Sequence, residues 1–386
     1  MRILIAPMAA MAETSGPFGR ARALALELAR RGHAVAFCAA EEINYRPVDN
    51  VPIYPAPIPS PMGLPPFLGR RMLAFAQATG LQSRRAVHSF EEVLFIAGAT
   101  NMRLFRADVR CLLDAIERFR PDAVFAEFRP AAIAAAKISR VKCAAGFSYP
   151  VQKSHAMDPK FSAGAFKCLR EFGLTVPESI LDLFGWADVR VVPSSRALEP
   201  MDCPNTVFTG PFVSATTCRP AWEGKRKNVV VYMGTGSITP KALAAVLPKA
   251  FSGTGYDVYI ASKQLPPSDR GNIHIRDRFD FSQLLPDAAA FINHGGQNSI
   301  MAGLQYGVPQ LVYPGKVFER IYNAQSVQNL GAGQSMGEGQ FNADDILKTV
   351  EMVAGDRAVF DNAWQAGQEL AALGGVGRAA EVVENL

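Results

Sequence analysis

The six cysteines of this sequence make no Cys-x-x-Cys pair: Cys38, Cys111, Cys143, Cys168, Cys203 and Cys218 stand far apart. That spacing argues against a zinc site and fits reduced thiols in a cytosolic chain. No apolar run is long enough to cross a bilayer. The opening one, Met1-Arg2-Ile3-Leu4-Ile5-Ala6-Pro7 and on to Glu13, is also too short for a signal-peptide core and reads as a buried first strand. Basic residues gather in no block beyond Lys225-Arg226-Lys227, and the net charge of +5 is spread along the chain. That pattern speaks against a dedicated nucleic-acid binder; a solvated surface accounts for it, with peripheral membrane contact left open. Low-complexity segments and short-period repeats are absent too.

What is present is a large, ordinary globular composition. A chain of 386 residues exceeds what one hydrophobic core usually serves, so two domains are expected. Residues 2–6 read as a strand, a turn of small residues follows through Thr14-Ser15-Gly16-Pro17, and 20–31 read as a helix with Ala and Leu on one face. Gly32 stops that helix and residues 33–37 form the next strand. The rhythm returns with a helix over 107–119, a strand over 122–126 and another over 187–192. Strands alternating with helices imply a parallel sheet with right-handed crossovers. Between the early units lies a proline-rich stretch, residues 51–66, which cannot join a sheet interior; it reads equally as a loop beside a site or as a connector.

A polar stretch from Gly210 to Asn228, broken by Pro220 and Gly224, looks like an interdomain linker. After it the rhythm restarts, with strands at 228–233, 256–261, 272–275, 289–293 and 310–313 and a helix from about Pro240. The expected fold is α/β: two Rossmann-like domains with parallel sheets facing across a cleft. Their expected bounds are 1–212, a linker over 213–227 and 228–366, with a C-terminal helix in 367–386 returning to the first domain.

The segment Phe291-Ile292-Asn293-His294-Gly295-Gly296-Gln297-Asn298-Ser299 places a histidine and two glycines between a strand and a helix. Amides at a helix N-terminus attract phosphate, glycine lets it approach the main chain, and His294 can donate a hydrogen bond to the same anion. The segment continues with Gly307-Val308-Pro309 and Pro314, then Glu319-Arg320, Asn323-Ala324 and Leu330-Gly331-Ala332-Gly333. Over roughly 45 residues this resembles the donor signature of the GT-B glycosyltransferases, family 1 with its bacterial antibiotic and sterol-type relatives. Upstream, Val229–Ser237 resembles the strand and glycine turn that open that family's C-terminal domain, and 276–286 the segment that encloses the nucleotide base.

The resemblance implies a metal-independent, inverting transfer from a UDP- or TDP-sugar, a co-substrate rather than a cofactor, to a hydroxyl or amine of a small hydrophobic or natural-product acceptor. His294, Gly295, Gly296, Gln297, Asn298 and Ser299 would hold the diphosphate, assisted by Thr235 and Ser237. Arg278 and Phe279 would lie at the base. Glu319 and Arg320 stand where many members carry Asp-Gln at the sugar hydroxyls, so the departure bears on sugar identity. The Gly-His that often supplies the acceptor's base is Gly16-Pro17 here. Glu13, Glu127 and His155 are the replacements weighed, against plain accounts in which Glu13 is a solvated turn residue, Glu127 pairs with Arg129 and His155 is a surface residue. No Asp-x-Asp metal motif occurs. Two other readings stay open: a glycosyltransferase-like partner protein without catalysis, and a nucleotide-sugar 2-epimerase on the same fold. Homodimerisation is also left open.

Overall fold

The computed structural model describes residues 1–9, 16–41, 45, 47–65, 67–69, 71–72, 86–212, 226–234 and 236–386. The chain forms two compact units, the first drawn from Met1–Ala76, Val87–Val213 and Leu373–Leu386, the second built on Ser214–Ala372.

The first unit is a seven-stranded parallel sheet. In chain order its elements are β1 (Arg2–Pro7), α1 (Gly16–Arg30), β2 (Ala34–Ala39), β3 (Ile53–Pro55), α2 (Phe90–Ile96), α3 (Met102–Phe119), β4 (Ala123–Glu127), α4 (Pro130–Ser139), β5 (Lys142–Gly146), α5 (Ala163–Glu171), β6 (Val189–Val192) and β7 (Thr206–Phe208). The spatial order is β3-β2-β1-β4-β5-β6-β7. Alternation along each strand feeds two cores: Leu4, Ala6, Val124 and Ala126 pack on the α3 side. Ile3, Ile5, Ala123 and Phe125 pack on the α1 side. The proline-rich stretch does supply a strand, β3, but at the sheet's edge, where missing N–H donors cost no ladder bonds.

The second unit runs β8 (Asn228–Tyr232), α6 (Pro240–Phe251), β9 (Asp257–Ala261), β10 (Ser268–Arg270), β11 (Ile273–Arg276), α7 (Phe281–Leu284), β12 (Ala288–Asn293), α8 (Gln297–Gln305), β13 (Gln310–Val312), α9 (Phe318–Asn329), β14 (Gly333–Ser335), α10 (Ala343–Gly355) and α11 (Arg357–Ala372). Its sheet order is β10-β11-β9-β8-β12-β13-β14. All neighbours pair in parallel except the hairpin β10–β11.

The last helix, α12 (Gly375–Glu384), belongs to the first unit. Its Ala379, Ala380 and Val383 are buried in the core on the α1 side. Glu384 meets both Arg31 (3.0 Å) and His33 (2.7 Å). Among the described residues no helix is long and apolar enough to cross a membrane.

Candidate active site

Strand order reverses between β8 and β12 in the second unit, and ligands of open α/β sheets bind beyond the carboxyl ends of strands at such a point. Tyr232 ends β8, Asn293 ends β12, and the two are register partners. His294 follows directly. Its imidazole lies beside the Tyr232 ring at 5.6 Å, with Nδ1 3.4 Å from the Tyr232 carbonyl. Burial first, and the Arg320 charge second, push the His294 pKa down to about 3, so the ring is neutral near pH 7.

The turn after His294 is crowded. A Cβ at Gly296 would stand 2.7 Å from His294 Nε2, so only glycine lets the imidazole lie against the main chain there. Gly295 takes φ +81°, and a Cβ on it would meet the Arg320 carbonyl at 3.0 Å. α8 then begins at Gln297 with Gly296 as its N-cap and no side chain capping it. Thr239 caps α6 and Asn342 caps α10 through side-chain oxygens, whereas α9, with Val317 as its N-cap, is uncapped like α8. An uncapped N-terminus beside a neutral histidine is suited to an anionic ligand.

The structure brings most of the sequence-predicted donor residues around this turn. Gln297 and Ser299 are half-buried and buried, while Asn298 is exposed. Ser237 Oγ is buried without a hydrogen-bond partner, in a loop whose Gly236 would set a Cβ 2.9 Å from His294 Cβ. α9 lies over Gly295 and carries Arg320, half-buried and with its pKa lowered by burial, and the exposed Glu319. Phe279 packs edge-on to Tyr259 (5.5 Å) beyond the carboxyl end of β11, and Arg278 beside it is exposed. Thr235 lies outside the described residues.

Sequence reasoning passed over Tyr232 and the polar side chains that hold the turn. The signal for Tyr232 was its place at the strand end before Gly234, in a turn where the sequence reading named Thr235 and Ser237 instead.

In the first unit the reversal falls between β1 and β4, and Glu127 ends β4. Its expected pairing with Arg129 is not what the structure shows. Glu127 accepts from Arg20 Nε of α1 at 2.6 Å and is 1% exposed, and burial pushes its carboxyl pKa up against the pull of Arg20. Arg129 instead pairs with Asp108 of α3 (2.5 Å) and donates to the Cys38 carbonyl. The separation comes from Phe128, a bulky residue at φ +54°, which breaks the strand's alternation so that the two charges leave on opposite faces. Asp108, Arg129 and Thr100 border a mostly apolar pocket whose lining includes Met8, Ala40, Leu94 and Phe105. His155 is half-buried rather than at the open surface, its ring 4.9 Å from that of Tyr149, with a pKa lowered by burial. Glu13 lies outside the described residues.

Two doubly wound sheets, with an anion-suited strand–helix turn at the reversal of the second, define a GT-B architecture. Residues 230–386 match the family model described as "Erythromycin biosynthesis protein CIII-like, C-terminal domain". L-demethylnoviosyl transferase of Streptomyces niveus is 27% identical over 299 residues, 70% of this chain and 74% of that protein. The crystal structure of CalG4, the calicheamicin glycosyltransferase, has the same fold at 18% identity, with a TM-score of 0.75 over 100% of this chain and 97% of that one. Spinosyn rhamnosyltransferase SpnG complexed with thymidine diphosphate follows at 18% identity and a TM-score of 0.66 over the whole of both chains. The first three curated relatives are matched over 42%, 16% and 28% of their own lengths. The chain shares the GT-B fold of these glycosyltransferases, and residues 230–386 match the family model.

Proposed function

We propose that this chain transfers a glycosyl group from a UDP- or TDP-sugar to a hydroxyl or amine of a small hydrophobic or natural-product acceptor, with inversion and without a metal. The observation that carries the proposal is His294: a neutral imidazole held against a glycine turn, at the sheet reversal and beside an uncapped helix N-terminus. In this reading the departing diphosphate is stabilised by the α8 amides, Arg320 and the unpartnered Ser237 hydroxyl, and by His294 in the tautomer that carries its single proton on Nε2 rather than on the Nδ1 facing the Tyr232 carbonyl. Thymidine diphosphate in the similarly folded SpnG complex supports the ligand class. Glu319 and Arg320, at the start of α9, are the residues proposed to meet the sugar, and Arg278 with Phe279 the base.

The apolar lining of the first unit's pocket, Met8, Ala40, Leu94 and Phe105, suits contact with part of a hydrophobic acceptor; its free volume of about 30 Å³ does not hold a whole one. Of the three groups weighed as proton acceptor, Glu127 is the least suited, because it is buried and held by Arg20 at 2.6 Å. His155, neutral and partly exposed, suits an acceptor proton better.

The test begins with calorimetric titration of UDP and TDP into wild type and His294→Ala, followed by donor hydrolysis and transfer across an acceptor panel. The expectation is a loss of diphosphate affinity of at least about tenfold in the folded variant, with transfer abolished. Near-normal turnover by His294→Ala would sink the donor-site assignment. Tight diphosphate binding by wild type with no turnover on any acceptor would point instead to a binding partner without catalysis.

A further inference from the structure

The Asn-Ala pair that follows Glu319-Arg320 in the signature has no role in the site as built so far. Asn323 lies one turn along α9 from Arg320, is 8% exposed, and donates through Nδ2 to the carbonyl of Gly295 at 2.8 Å. The other face of the same glycine is also held: its N–H donates to Asn293 Oδ1 at 2.9 Å. Asn293 is fully buried and passes a further bond on, Nδ2 donating to Gln310 Oε1 at 2.9 Å. Gln310, itself fully buried at the start of β13, donates through Nε2 to the Ile300 carbonyl inside α8, again at 2.9 Å. Both peptide groups of one glycine are therefore gripped by buried amides. One grip runs to the helix whose N-terminus faces the anion site, and the other to the helix that carries Glu319 and Arg320.

We propose that Asn323 is a positioning residue: by holding the Gly295 carbonyl it locks the His294 turn to α9, so that the diphosphate end and the sugar end of the donor site share one geometry. The inference rests on the donor-site reading above. Glycine at φ +81° puts no side chain in the way of rotating the Gly295–Gly296 peptide, whose carbonyl Asn323 holds, and rotating it re-aims the amides that follow and shifts the Gly296 main chain against which the His294 ring lies. The bond itself is an ordinary neutral one, but it is buried, so losing it leaves the Gly295 carbonyl unsatisfied.

The experiment titrates UDP and TDP into wild type, Asn323→Leu, His294→Ala and the double variant, with thermal unfolding of each. Wild-type binding of neither nucleotide would defeat the donor-site reading itself, before Asn323 is in question. Given wild-type binding, Asn323→Leu is expected to bind about tenfold more weakly at a Tm that still reports a folded chain. In the double variant the two losses should not add: once His294 is gone, removing Asn323 is expected to cost no more than about threefold. Unchanged affinity in Asn323→Leu, or losses that multiply in the double variant, would overturn the proposal. Should Asn323→Leu fail to fold, Asn323→Ser takes its place. A hydroxyl there keeps a donor on a shorter arm, and the same non-additivity is required of it.

Discussion

At the scale of single residues, burial decides which ionisable groups act as charges. His294 is held neutral by burial and by Arg320, its pKa pushed to about 3. The unfolded chain has an ordinary histidine near 6.5. Between those values the unfolded state binds a proton that the folded state refuses, so this residue makes stability fall as pH falls from about 6.5 toward 3. NMR of the His294 ring in the ligand-free protein should accordingly show no titration between pH 8 and 5, and a midpoint near 6.5 would contradict its burial. Glu127 offers a second case. Replacing it with Gln removes the carboxylate that Arg20 Nε meets at 2.6 Å in a largely buried setting, and urea denaturation should show a loss of about 3 kcal/mol. A change within 0.5 kcal/mol would mean that the pair contributes little.

The same scale shows what a sequence carries and what it does not. His294 was legible because His-Gly-Gly between a strand and a helix is an unusual local pattern with a chemical meaning. Asn293, Gln310 and Asn323 were not, because each acts on a main-chain group brought near only by the fold. The Glu127–Arg129 pairing failed for a related reason. Residues two apart share a face only while the strand stays regular, and Phe128 at φ +54° ends that regularity.

At the scale of elements, short apolar runs bounded by turn residues announced themselves as strands: Asn228–Tyr232 through three valines, and Ala288–Asn293 through an apolar run ending just before His-Gly-Gly. The sequence reading passed over β3, β5, β7, β10 and β14. β5 is built from Lys-Cys-Ala-Ala-Gly, which has little intrinsic β preference, and the others have only three residues each. Their pairing is supplied by neighbours in the sheet. α8 gives a related test of tertiary context over propensity. Gly303 sits inside it, where Gly→Ala on an exposed helix would stabilise by up to about 1 kcal/mol. Here a Cβ would stand 2.6 Å from Gln310 Nε2, the group that bonds the Ile300 carbonyl. Gly303→Ala is therefore expected to destabilise by about 2 kcal/mol, with a drop in UDP or TDP affinity as the Asn293–Gln310 chain is displaced. A stabilised variant with unchanged affinity would show that Gln310 moves aside at no cost.

At the scale of the whole molecule, the chain's last helix belongs to the unit that holds its first strand. α12 adds Ala379, Ala380 and Val383 to the core on the α1 side. It is anchored at both ends: Gly375 N–H donates to the Thr209 carbonyl at 2.6 Å, Arg31 donates to the Gly377 carbonyl at 3.0 Å, and Glu384 receives His33 and Arg31. Removing residues 375–386 strips those three side chains from the core, at a cost to the first unit of about 3 kcal/mol from apolar burial alone. A smaller part of the anchorage depends on pH. The Glu384 carboxyl is held below its ordinary value, by the His33 hydrogen bond first and then by the Arg31 charge. That contribution is complete above the unfolded carboxylate pKa and is lost as pH falls through the lower folded value, so the full chain, but not the shortened one, should weaken in that acid range. The donor residues, from Ser237 to Asn323, lie entirely in the second unit. Calorimetry of the shortened chain should therefore show the transition of the first unit moved down, while the UDP- or TDP-dependent upward shift of the second is kept at the size found in the full chain. Loss of that nucleotide-dependent shift on removing α12 would mean that the anion site depends on the first unit for its shape, and that the residues of the second do not suffice to bind the diphosphate.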